Sequence, residues 1–499
     1  MTIFLESLAN INAVYIIALI LGVIAGYVIG ALPGFTATMG VALFIPFSFR
    51  MDVNVAFGFL IALYCSAIMA GAIPAIMIRT PGTPANICTI FDGYPMAKKG
   101  QAGKALGLAC LASVFGGLAS AIFLIFLTGP IGRGALRFGP HEFFALGLLG
   151  LSLVVGMSSN NLIKGFIAAC LGLLVTIPGM DALAGFPRFT FGRVEMFSGI
   201  QELPVIIGIF ALSQVFVSFA EKDRDSMGQQ KITGLLSGIK DMKENWKLLI
   251  KSSLWGTFLG ALPGVGANIA AIIGYDEAKR SSKHKELMGK GQPEGIIGPE
   301  CATNASTGGA LIPMLSLGIP GDPVTAILLG GLMIHGLRPG PELFRSSPHV
   351  VYGIYISVIL SYFVILLLSL FSIKYIAKLL KVKSSILSAF VLVFCVIGAY
   401  ALQNSFFDIY VMIAFGLIGF FMRKHKFELA PFTLAFVLGS LIETRLGLAI
   451  LLSRGDLLSF FTRPISSTLL IITFLFIIFS VWRIRRKNTS QRYDATEVS

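Results

Sequence analysis

The chain has few charged residues. Only 13% of its 499 residues are Asp, Glu, Lys or Arg, whereas 55% are hydrophobic, and its mean hydropathy is +0.83. Soluble globular domains keep about a quarter of their residues charged, so this composition excludes an ordinary soluble protein. The sequence predicts a polytopic membrane protein surrounded by a lipid bilayer.

Residue patterns that serve catalysis or cofactor binding are scarce as well. The six cysteines show no CxxC spacing, which argues against a thiolate metal site and against a disulfide framework. The five histidines fall in or near loops, so a histidine proton relay is not expected. The phosphate-binding signature GxxxxGK(S/T) does not occur in the chain. We therefore expect a protein that is not an enzyme, that has no cofactor, and that depends on an ion gradient or another subunit for energy.

The chain has many long apolar runs. About a dozen of them approach or exceed the roughly 20 residues that an α-helix needs to cross a bilayer. Several are interrupted by proline and glycine. Continuous runs of this length do not alternate in the way that the strands of a membrane barrel do. The predicted fold class is an all-α polytopic membrane protein with broken helices.

The positions of the basic loops predict how the chain is threaded through the membrane, because cytoplasmic loops are enriched in Lys and Arg. The most basic loops are 97–104, 222–247, 279–290, 374–383, 423–426 and the tail 483–487. The loops with fewer basic residues, expected to face outward, are 50–52, 129–139, 181–199, 337–349 and 402–407. This alternation places the N-terminus outside and the C-terminus in the cytoplasm. It also accounts for the net charge of +14 without nucleic-acid binding.

One Pro-Gly sequence occurs twice. The stretch 30-GALPGFTATMG-40 returns as 260-GALPGVGANIA-270, each time inside apolar sequence. Each copy is the predicted turn of a helical hairpin. From the loop charges, the first hairpin begins and ends outside, whereas the second begins and ends in the cytoplasm.

A second pair of segments repeats with the same order. The stretch 71-GAIPAIMIRTPGTPANI-87 matches 310-ALIPMLSLGIPGDPVTAI-327, and Pro81 falls on Pro320 (320 − 81 = 239). The two pairs predict two inverted-topology repeats with re-entrant hairpins, the recurrent plan of secondary transporters. The predicted parts are a first repeat at 1–220, a cytoplasmic linker at 221–246, a second repeat at 247–465, and a final transmembrane helix with a basic tail at 466–499.

The helix breaks predict a binding site. A proline inside a helix costs about 3 kcal/mol or more, and a break at membrane depth survives where it lines a cavity. Half-helix N-termini there face an anion, and exposed carbonyls bind a cation. The predicted substrate-binding residues are Pro33, Gly34, Thr36, Thr38, Arg79, Pro81, Gly82, Thr83, Asn86, Gly264, Gly266, Asn268, Pro320, Gly321, Asp322 and Thr325. The predicted ligands of a small cation such as Na⁺ are Thr36, Thr38, Asn268, Asn304, Ser306 and Thr307.

Arg79 and Asp322 are charged residues at two of these breaks. An ionisable residue inside the membrane indicates a functional site by default, and a guanidinium binds a carboxylate through two hydrogen bonds. Two alternatives remain for this pair: each lies at a water-filled cavity mouth, or the two pair with each other. A wider alternative is that the breaks are only kinks, with Thr and Ser bonded to their own helices.

Two other functions compete with transport. An intramembrane aspartyl protease is the enzyme alternative, because Tyr275-Asp276 and Gly321-Asp322 faintly resemble the paired YD and GxGD motifs. The second motif has one residue too many, and Asp276 falls in a basic loop. An anion channel is the other alternative, and it predicts conductance without saturable uptake. Neither alternative explains break motifs that come in inverted pairs.

Several longer motifs carry a family resemblance. They are 31-ALPGFTATMGVALFIPFSF-49, 81-PGTPANICTIFDGYPMAKKGQAGKALG-107, 185-GFPRFTFG-192, 262-LPGVGANIAAIIGYDEAKR-280, 299-PECATNASTGGALIPMLSLGIPG-321 and 335-HGLRPGPELF-344. Together they resemble the large membrane subunit of the tripartite tricarboxylate transporters, the TctA family. The resemblance is strong from the first GALPG to about residue 345 and continues by hydropathy alone.

The resemblance implies a permease of the bacterial inner membrane. Such a permease works with a small TctB-like membrane subunit and a periplasmic TctC-like solute-binding protein, and it imports carboxylates such as citrate with a cation, Na⁺ or H⁺. Two departures from the family pattern fall at the predicted site: Arg79-Thr80 before the first PGxP and Asp322-Pro323 within the second. They leave the exact carboxylate open.

Overall fold

The computed structural model describes residues 11–156, 162–181, 183, 185–220, 232, 234–379, 384–478 and 480. Within these residues the secondary structure is helical except for one two-residue antiparallel strand pair. Seven described segments are long and apolar enough to cross a membrane. The predicted all-α polytopic class is therefore confirmed. Residues 221–231 and 233 of the predicted linker and residues 481–499 of the predicted tail lie outside the described part.

The helices follow the predicted interruptions. In the first half they are α1 Ala13–Ala31, α2 Ala37–Ser48, α3 Val53–Ala70, α4 Ala72–Ile78, α5 Thr89–Met96, α6 Ala102–Ala135, α7 Pro140–Gly156, α8 Leu162–Val175, α9 Glu202–Ile206 and α10 Ser213–Ala220. A 3₁₀ turn, Pro84–Asn86, precedes α5, a π-helical turn, Ile207–Leu212, joins α9 to α10, and the strands β1 Gly179–Met180 and β2 Pro187–Arg188 follow α8. In the second half the helices are α11 Ile239–Glu244, α12 Trp246–Ala261, α13 Gly266–Ser281, α14 Glu294–Leu317, α15 Pro323–Ile334, α16 Leu343–Ser346, α17 Pro348–Leu379, α18 Ser384–Gln403, α19 Phe406–Lys424, α20 Leu429–Leu452, α21 Ser459–Thr462 and α22 Pro464–Ile478.

The chain forms two compact units, and each takes helices from both halves of the sequence. One unit contains Met1–Leu136 and Gln201–His425, and the other contains Arg137–Ile200 and Lys426–Ser499. In the first unit the segment Glu202–Ala220 packs on α18 and α19. In the second unit α20 packs on α7 and α8. These units are defined by contacts and do not test the predicted sequence repeats, whose boundaries stay predictions.

Both GALPG sequences form helical hairpin turns, between α1 and α2 and between α12 and α13. The glycine after each proline has a left-handed backbone, with φ 88° at Gly34 and 80° at Gly264, which glycine adopts without strain. In each turn the backbone N–H three residues after Leu32 or Leu262 donates to that leucine's carbonyl, at 3.1 and 3.2 Å. The predicted breaks are thus turns of the same type.

The first limb of each hairpin packs closely on the central helix of its own half, α1 on α3 and α12 on α14. Glycines of the hairpin limb lie against backbone carbonyls of the central helix, where a Cβ would overlap the oxygen. The same positions are used in both halves. The pairs are Gly26 on Leu63 with Gly256 on Ala302, and Gly30 on Ala67 with Gly260 on Ser306.

The 34-residue helix α6 joins two clusters of loops; at 1.5 Å per residue it is about 50 Å long. Near its start the Lys104 ammonium pairs with the Asp241 carboxylate at 2.9 Å, and Lys99 donates to the Lys290 carbonyl at 2.7 Å. Near its end a Cβ at Gly132 would lie 3.2 Å from the Phe344 ring. The basic loops 97–104 and 279–290 and the described part of the loop 222–247, residues 234–247, therefore meet at one end of α6.

The two hairpins open toward opposite ends of α6. At the start of α1 the Tyr15 hydroxyl donates to the Gly353 carbonyl at 3.3 Å, and Asn54 in the first turn of α3 faces the same Gly353. Helix α17, which contains Gly353, begins just after the loop that meets the end of α6. On α13 the Tyr275 hydroxyl donates at 3.0 Å to Asp92, whose carboxylate also accepts from the basic loop after α13. The first hairpin therefore opens at the end of α6 and the second at its start.

We expect Gly260→Ala to destabilise the protein, because its Cβ would overlap the Ser306 carbonyl. Overpacking of this kind costs about 1–3 kcal/mol. The measurement is the midpoint of thermal unfolding in detergent. Gly134→Ala is the matched control, since nothing lies within 4 Å of its Cβ and alanine favours the helix. Equal midpoints for the two variants would contradict the close packing of α12 on α14.

Candidate functional site

The four backbone breaks form one contiguous region of the first unit. A Cβ at Gly82 would meet the Gly30 carbonyl, and the Gly264 N–H donates to the Gly321 carbonyl at 2.9 Å. Each hairpin turn therefore contacts the interrupted helix of its own half. Across the halves, the 3₁₀ turn Pro84–Asn86 packs on α13, and α15 packs on α2. The structure thus brings the predicted Pro-Gly motifs together.

The two interrupted helices end with the same geometry. Arg79 after α4 and Gly318 after α14 both have left-handed backbone, with φ 58° and 71°. In both breaks the next N–H donates back to the proline carbonyl six residues earlier. These bonds are Thr80 to Pro74 and Ile319 to Pro313, both 3.3 Å. Positive φ is uncommon for a residue other than glycine, so the arginine at position 79 holds a strained turn that its counterpart forms with glycine.

The first hairpin turn presents hydrogen-bond donors. The Thr36 hydroxyl caps α2 by accepting from the Met39 N–H at 3.2 Å. Among the described residues, no side-chain hydrogen bond forms to Thr38, which is half-buried at the start of α2. A Cβ at Gly34 would lie 2.8 Å from the Gln214 amide nitrogen. The turn therefore combines a helix N-terminus with a hydroxyl and an amide.

The second hairpin turn lies beside Asp322. Gly264 and Gly266 both have positive φ, and α13 begins at Gly266 without a side-chain cap. A Cβ at Gly266 would lie 3.7 Å from the Asp322 Cβ. Asn268, in the first turn of α13, is exposed. The uncapped N–H groups of α13 are thus available to a ligand.

Asp322 serves as the N-cap of α15. Its carboxylate accepts from the Thr325 N–H at 2.8 Å and from the Tyr64 hydroxyl at 2.6 Å. The Thr325 hydroxyl accepts from the Asp322 N–H at 2.9 Å and completes a capping box. Arg79 lies elsewhere, exposed, with its guanidinium 6.0 Å from the Tyr94 ring centre. The structure does not bring Arg79 and Asp322 together as an ion pair.

The first break leads to a buried carboxylate. The Thr83 hydroxyl donates to the Asn86 amide oxygen at 2.6 Å. The Asn86 amide nitrogen donates to the Ile68 carbonyl at 3.3 Å and to Glu300 Oε1 at 3.0 Å. Asn86, a predicted substrate ligand, is fully buried and spans from α3 to α14.

Glu300 collects side-chain donors from three segments of the chain. Its Oε1 also accepts from the Thr89 hydroxyl of α5, and its Oε2 accepts from the Ser113 hydroxyl of α6 at 3.2 Å. The Asn304 amide nitrogen, one turn along α14, donates to Ser113 at 2.8 Å. Glu300 is only 1% exposed. These five residues, Asn86, Thr89, Ser113, Glu300 and Asn304, are called the Glu300 cluster below.

The six predicted cation ligands fall into two groups. Thr36, Thr38 and Asn268 lie at the hairpin turns, whereas Asn304, Ser306 and Thr307 lie inside α14. The Ser306 and Thr307 hydroxyls donate to carbonyls of their own helix, both at 2.7 Å, as the kink interpretation expects. Thr307 also pairs with the Tyr362 hydroxyl at 2.8 Å.

Sequence reasoning missed three residues of this region: Glu300, Tyr64 and Gln214. Glu300 had a signal, since it is a carboxylate that lies beyond the first turn of a long apolar helix, and an ionisable residue at that depth indicates function by default. Tyr64 and Gln214 had no signal. Their importance comes from partners 258 residues away in sequence for Tyr64 and at the first hairpin turn for Gln214.

We expect Tyr64→Phe to lower stability, because it removes a hydrogen-bond donor from a buried carboxylate of Asp322. A buried group left unsatisfied costs about 1–3 kcal/mol. The measurement is again the thermal unfolding midpoint in detergent. Tyr410→Phe is the control, since Tyr410 is 66% exposed on α19. An unchanged midpoint for Tyr64→Phe would show that this hydrogen bond contributes nothing.

Comparison with known proteins agrees with the motif resemblance. The profile of the tripartite tricarboxylate transporter TctA family matches residues 16–434. The chain is 34% identical over 469 residues to an uncharacterised 52.8 kDa protein in the TAR-I ttuC' 3' region of Agrobacterium vitis, covering 94% of this chain and 93% of that protein. It is 38% identical over 215 residues to an uncharacterised protein in the TAR-II ttuC' 3' region of the same organism, covering 43% of this chain and 89% of that protein. No solved structure matches the chain significantly.

The family decides between a transporter and an enzyme. TctA proteins are transporters and not enzymes, which removes the aspartyl protease alternative. The aspartates of that alternative also have separate environments, because Asp276 pairs with Arg280 at 2.6 Å and is half-exposed, whereas Asp322 caps a buried helix. The chain belongs to the TctA family and is the multi-pass membrane subunit of a tripartite tricarboxylate transporter.

Proposed function

We propose that this chain is the permease that imports di- and tricarboxylates such as citrate across the bacterial inner membrane, together with Na⁺ or H⁺. A periplasmic TctC-like binding protein delivers the carboxylate, and a small TctB-like membrane subunit completes the transporter. Membership of the TctA family supports this assignment. The observation that carries it is the meeting of two hairpin turns and two helix breaks in one region.

The two hairpin turns are suited to an anion. Helices α2 and α13 both begin there, and each helix N-terminus carries about half a unit of positive charge on its free N–H groups. The Thr38 hydroxyl and the exposed Asn268 amide add neutral donors at the same two helix starts. Carboxylates of the substrate would be bound by these groups, and Asp322 and Glu300 would favour a co-transported cation.

An inverted repeat supplies the alternating access. The hairpins open toward opposite ends of α6, and the same glycine contacts recur in both halves. Two copies of one unit with opposite orientation give two related conformations, one open to each side. In this proposal the end of α6 that holds the basic loops is cytoplasmic, the N-terminus is outside and the C-terminus is cytoplasmic.

Uptake tests the substrate class. The chain, reconstituted in proteoliposomes with its membrane partner and supplied with its binding protein, is expected to take up radiolabelled di- or tricarboxylates saturably when a sodium or proton gradient is imposed. Thr38→Val should reduce kcat/KM for uptake, because loss of a hydrogen bond to a charged group costs about 1.5–3 kcal/mol, roughly 10- to 100-fold.

Thr468→Val is the control for that variant, because Thr468 is exposed and bonded to its own helix. An unchanged kcat/KM for Thr38→Val would show that the first hairpin turn does not bind the substrate through Thr38. Conductance without saturation or competition would favour the anion channel instead.

Labelling from one side of the membrane tests the inverted threading. We expect Met51→Cys to react with an impermeant maleimide from the periplasm and Lys285→Cys only from the cytoplasm, since both residues are exposed at opposite ends of α6. The native cysteines are buried apart from Cys170, so Cys170→Ser provides the background. Reaction of both positions from the same side would disprove the inverted repeat.

A further inference from the structure

We propose that Glu300 is the residue that carries the coupled proton. The proposal rests on cation-coupled carboxylate uptake and names the cation as H⁺ and its carrier as one side chain. The observation behind it is the Glu300 cluster, in which a buried carboxylate is surrounded by neutral side-chain donors.

The burial of Glu300 requires its charge to be compensated. In the part of the chain that the structure describes, no Lys, Arg or His forms a salt bridge with it. An ionised carboxylate without a cation is costly in such a place. The protonated side chain is therefore stable in this place, whereas the ionised side chain requires more polar surroundings or a nearby cation. A residue that carries a coupled proton needs this dependence of its protonation on its surroundings.

The hydrogen-bond partners suit both protonation states. The Thr89 and Ser113 hydroxyls donate to the ionised carboxylate, and a hydroxyl can reverse to accept. When the proton binds to Oε2, that oxygen becomes a donor and Ser113 becomes its acceptor across 3.2 Å. When the proton leaves, Ser113 donates again. The O–H bond of the Glu300 carboxyl is the covalent bond that forms and breaks in this step.

Asp322 provides the contrast inside the same protein. Its carboxylate accepts from the Thr325 N–H at the start of α15 as well as from the Tyr64 and Thr325 hydroxyls, and unlike a hydroxyl the backbone N–H cannot reverse to become an acceptor. The helix N-terminus also favours a negative charge there. Of the two carboxylates at the breaks, Asp322 is favoured in its ionised form by a helix N-terminus, whereas Glu300, whose donors are all side chains, can bind and release a proton.

The location of the cluster links the proton to movement. Asn86 and Thr89 flank the first helix break, and Glu300 and Asn304 lie on α14 of the other half. Protonation therefore changes the attraction between segments of the two repeats. The titratable or charged side chains on the elements around Glu300 include Cys88, Asp92, Tyr94, Cys110, Tyr275, Glu294, Cys301, Tyr64, Cys65, Tyr362, Lys104 paired with Asp241, Lys251 paired with Glu277, and Arg280 paired with Asp276.

The test separates exchange of substrate from its accumulation. Proteoliposomes with the complete transporter are assayed for citrate, or for the panel carboxylate that the wild type transports, in two modes: counterflow without gradients, and uptake driven by an acid exterior. A pH dye in the lumen reports proton entry. We expect Glu300→Gln to keep counterflow, to lose accumulation above equilibrium, and to lose substrate-dependent acidification of the lumen.

Glu300→Asp should restore part of the proton-driven accumulation, because it restores a carboxylate. Asp276→Asn is the control, since Asp276 is a half-exposed carboxylate paired with Arg280, and it should behave as wild type. Proton-driven accumulation by Glu300→Gln overturns the proposal. Loss of counterflow by a folded, monodisperse Glu300→Gln overturns it too, as does wild-type accumulation that follows only a sodium gradient. Absence of counterflow in the wild type is a different result, since it refutes the proposed carboxylate transport itself.

Discussion

Backbone groups freed by a helix break inside a membrane must find partners within the protein, because lipid offers none. The structure meets this constraint with close backbone contacts. The Gly82 N–H donates to the Gly71 carbonyl at 3.1 Å, and the Gly264 N–H donates to the Gly321 carbonyl at 2.9 Å. Such contacts require the hairpins to approach the central helices closely, and glycines on α1 and α12 make that approach possible. The breaks and the small residues around them are therefore parts of one solution.

The same constraint governs the carboxylates near the breaks. Asp322 completes the hydrogen bonds of a new helix start, so its negative charge is matched by backbone N–H groups. Glu300 accepts hydrogen bonds from Asn86 and Thr89 at the other break and from Ser113 of α6. All three donors are neutral. The two halves thus share a backbone plan and differ in the chemistry of their carboxylates. In the proposed transport cycle this asymmetry would give the two carboxylates different roles.

The hairpin turns and helix breaks could be predicted from the sequence because proline and glycine act locally. GALPG and PGxP interrupt a helix wherever they occur inside it, and the loop charges group the basic segments that meet near the start of α6. The hydrogen-bond partners of individual side chains could not be predicted from the sequence in the same way. Asn304 stays a predicted cation ligand, and the sequence did not show that its amide nitrogen donates to Ser113 of α6. Arg79 looked like a site residue, and the structure places its side chain at an exposed position beside Tyr94.

By itself the sequence determined the membrane class, the two hairpins and the four breaks, since hydrophobicity and backbone preference are properties of short segments. The tertiary structure alone decided that Glu202–Ala220 packs with α18 and α19, and that α20 packs with α7 and α8. It also decided that Asn86 meets Glu300 across 214 residues of chain. Contacts of that kind depend on how distant helices pack, and packing among similarly apolar helices has no signature in the local order of residues.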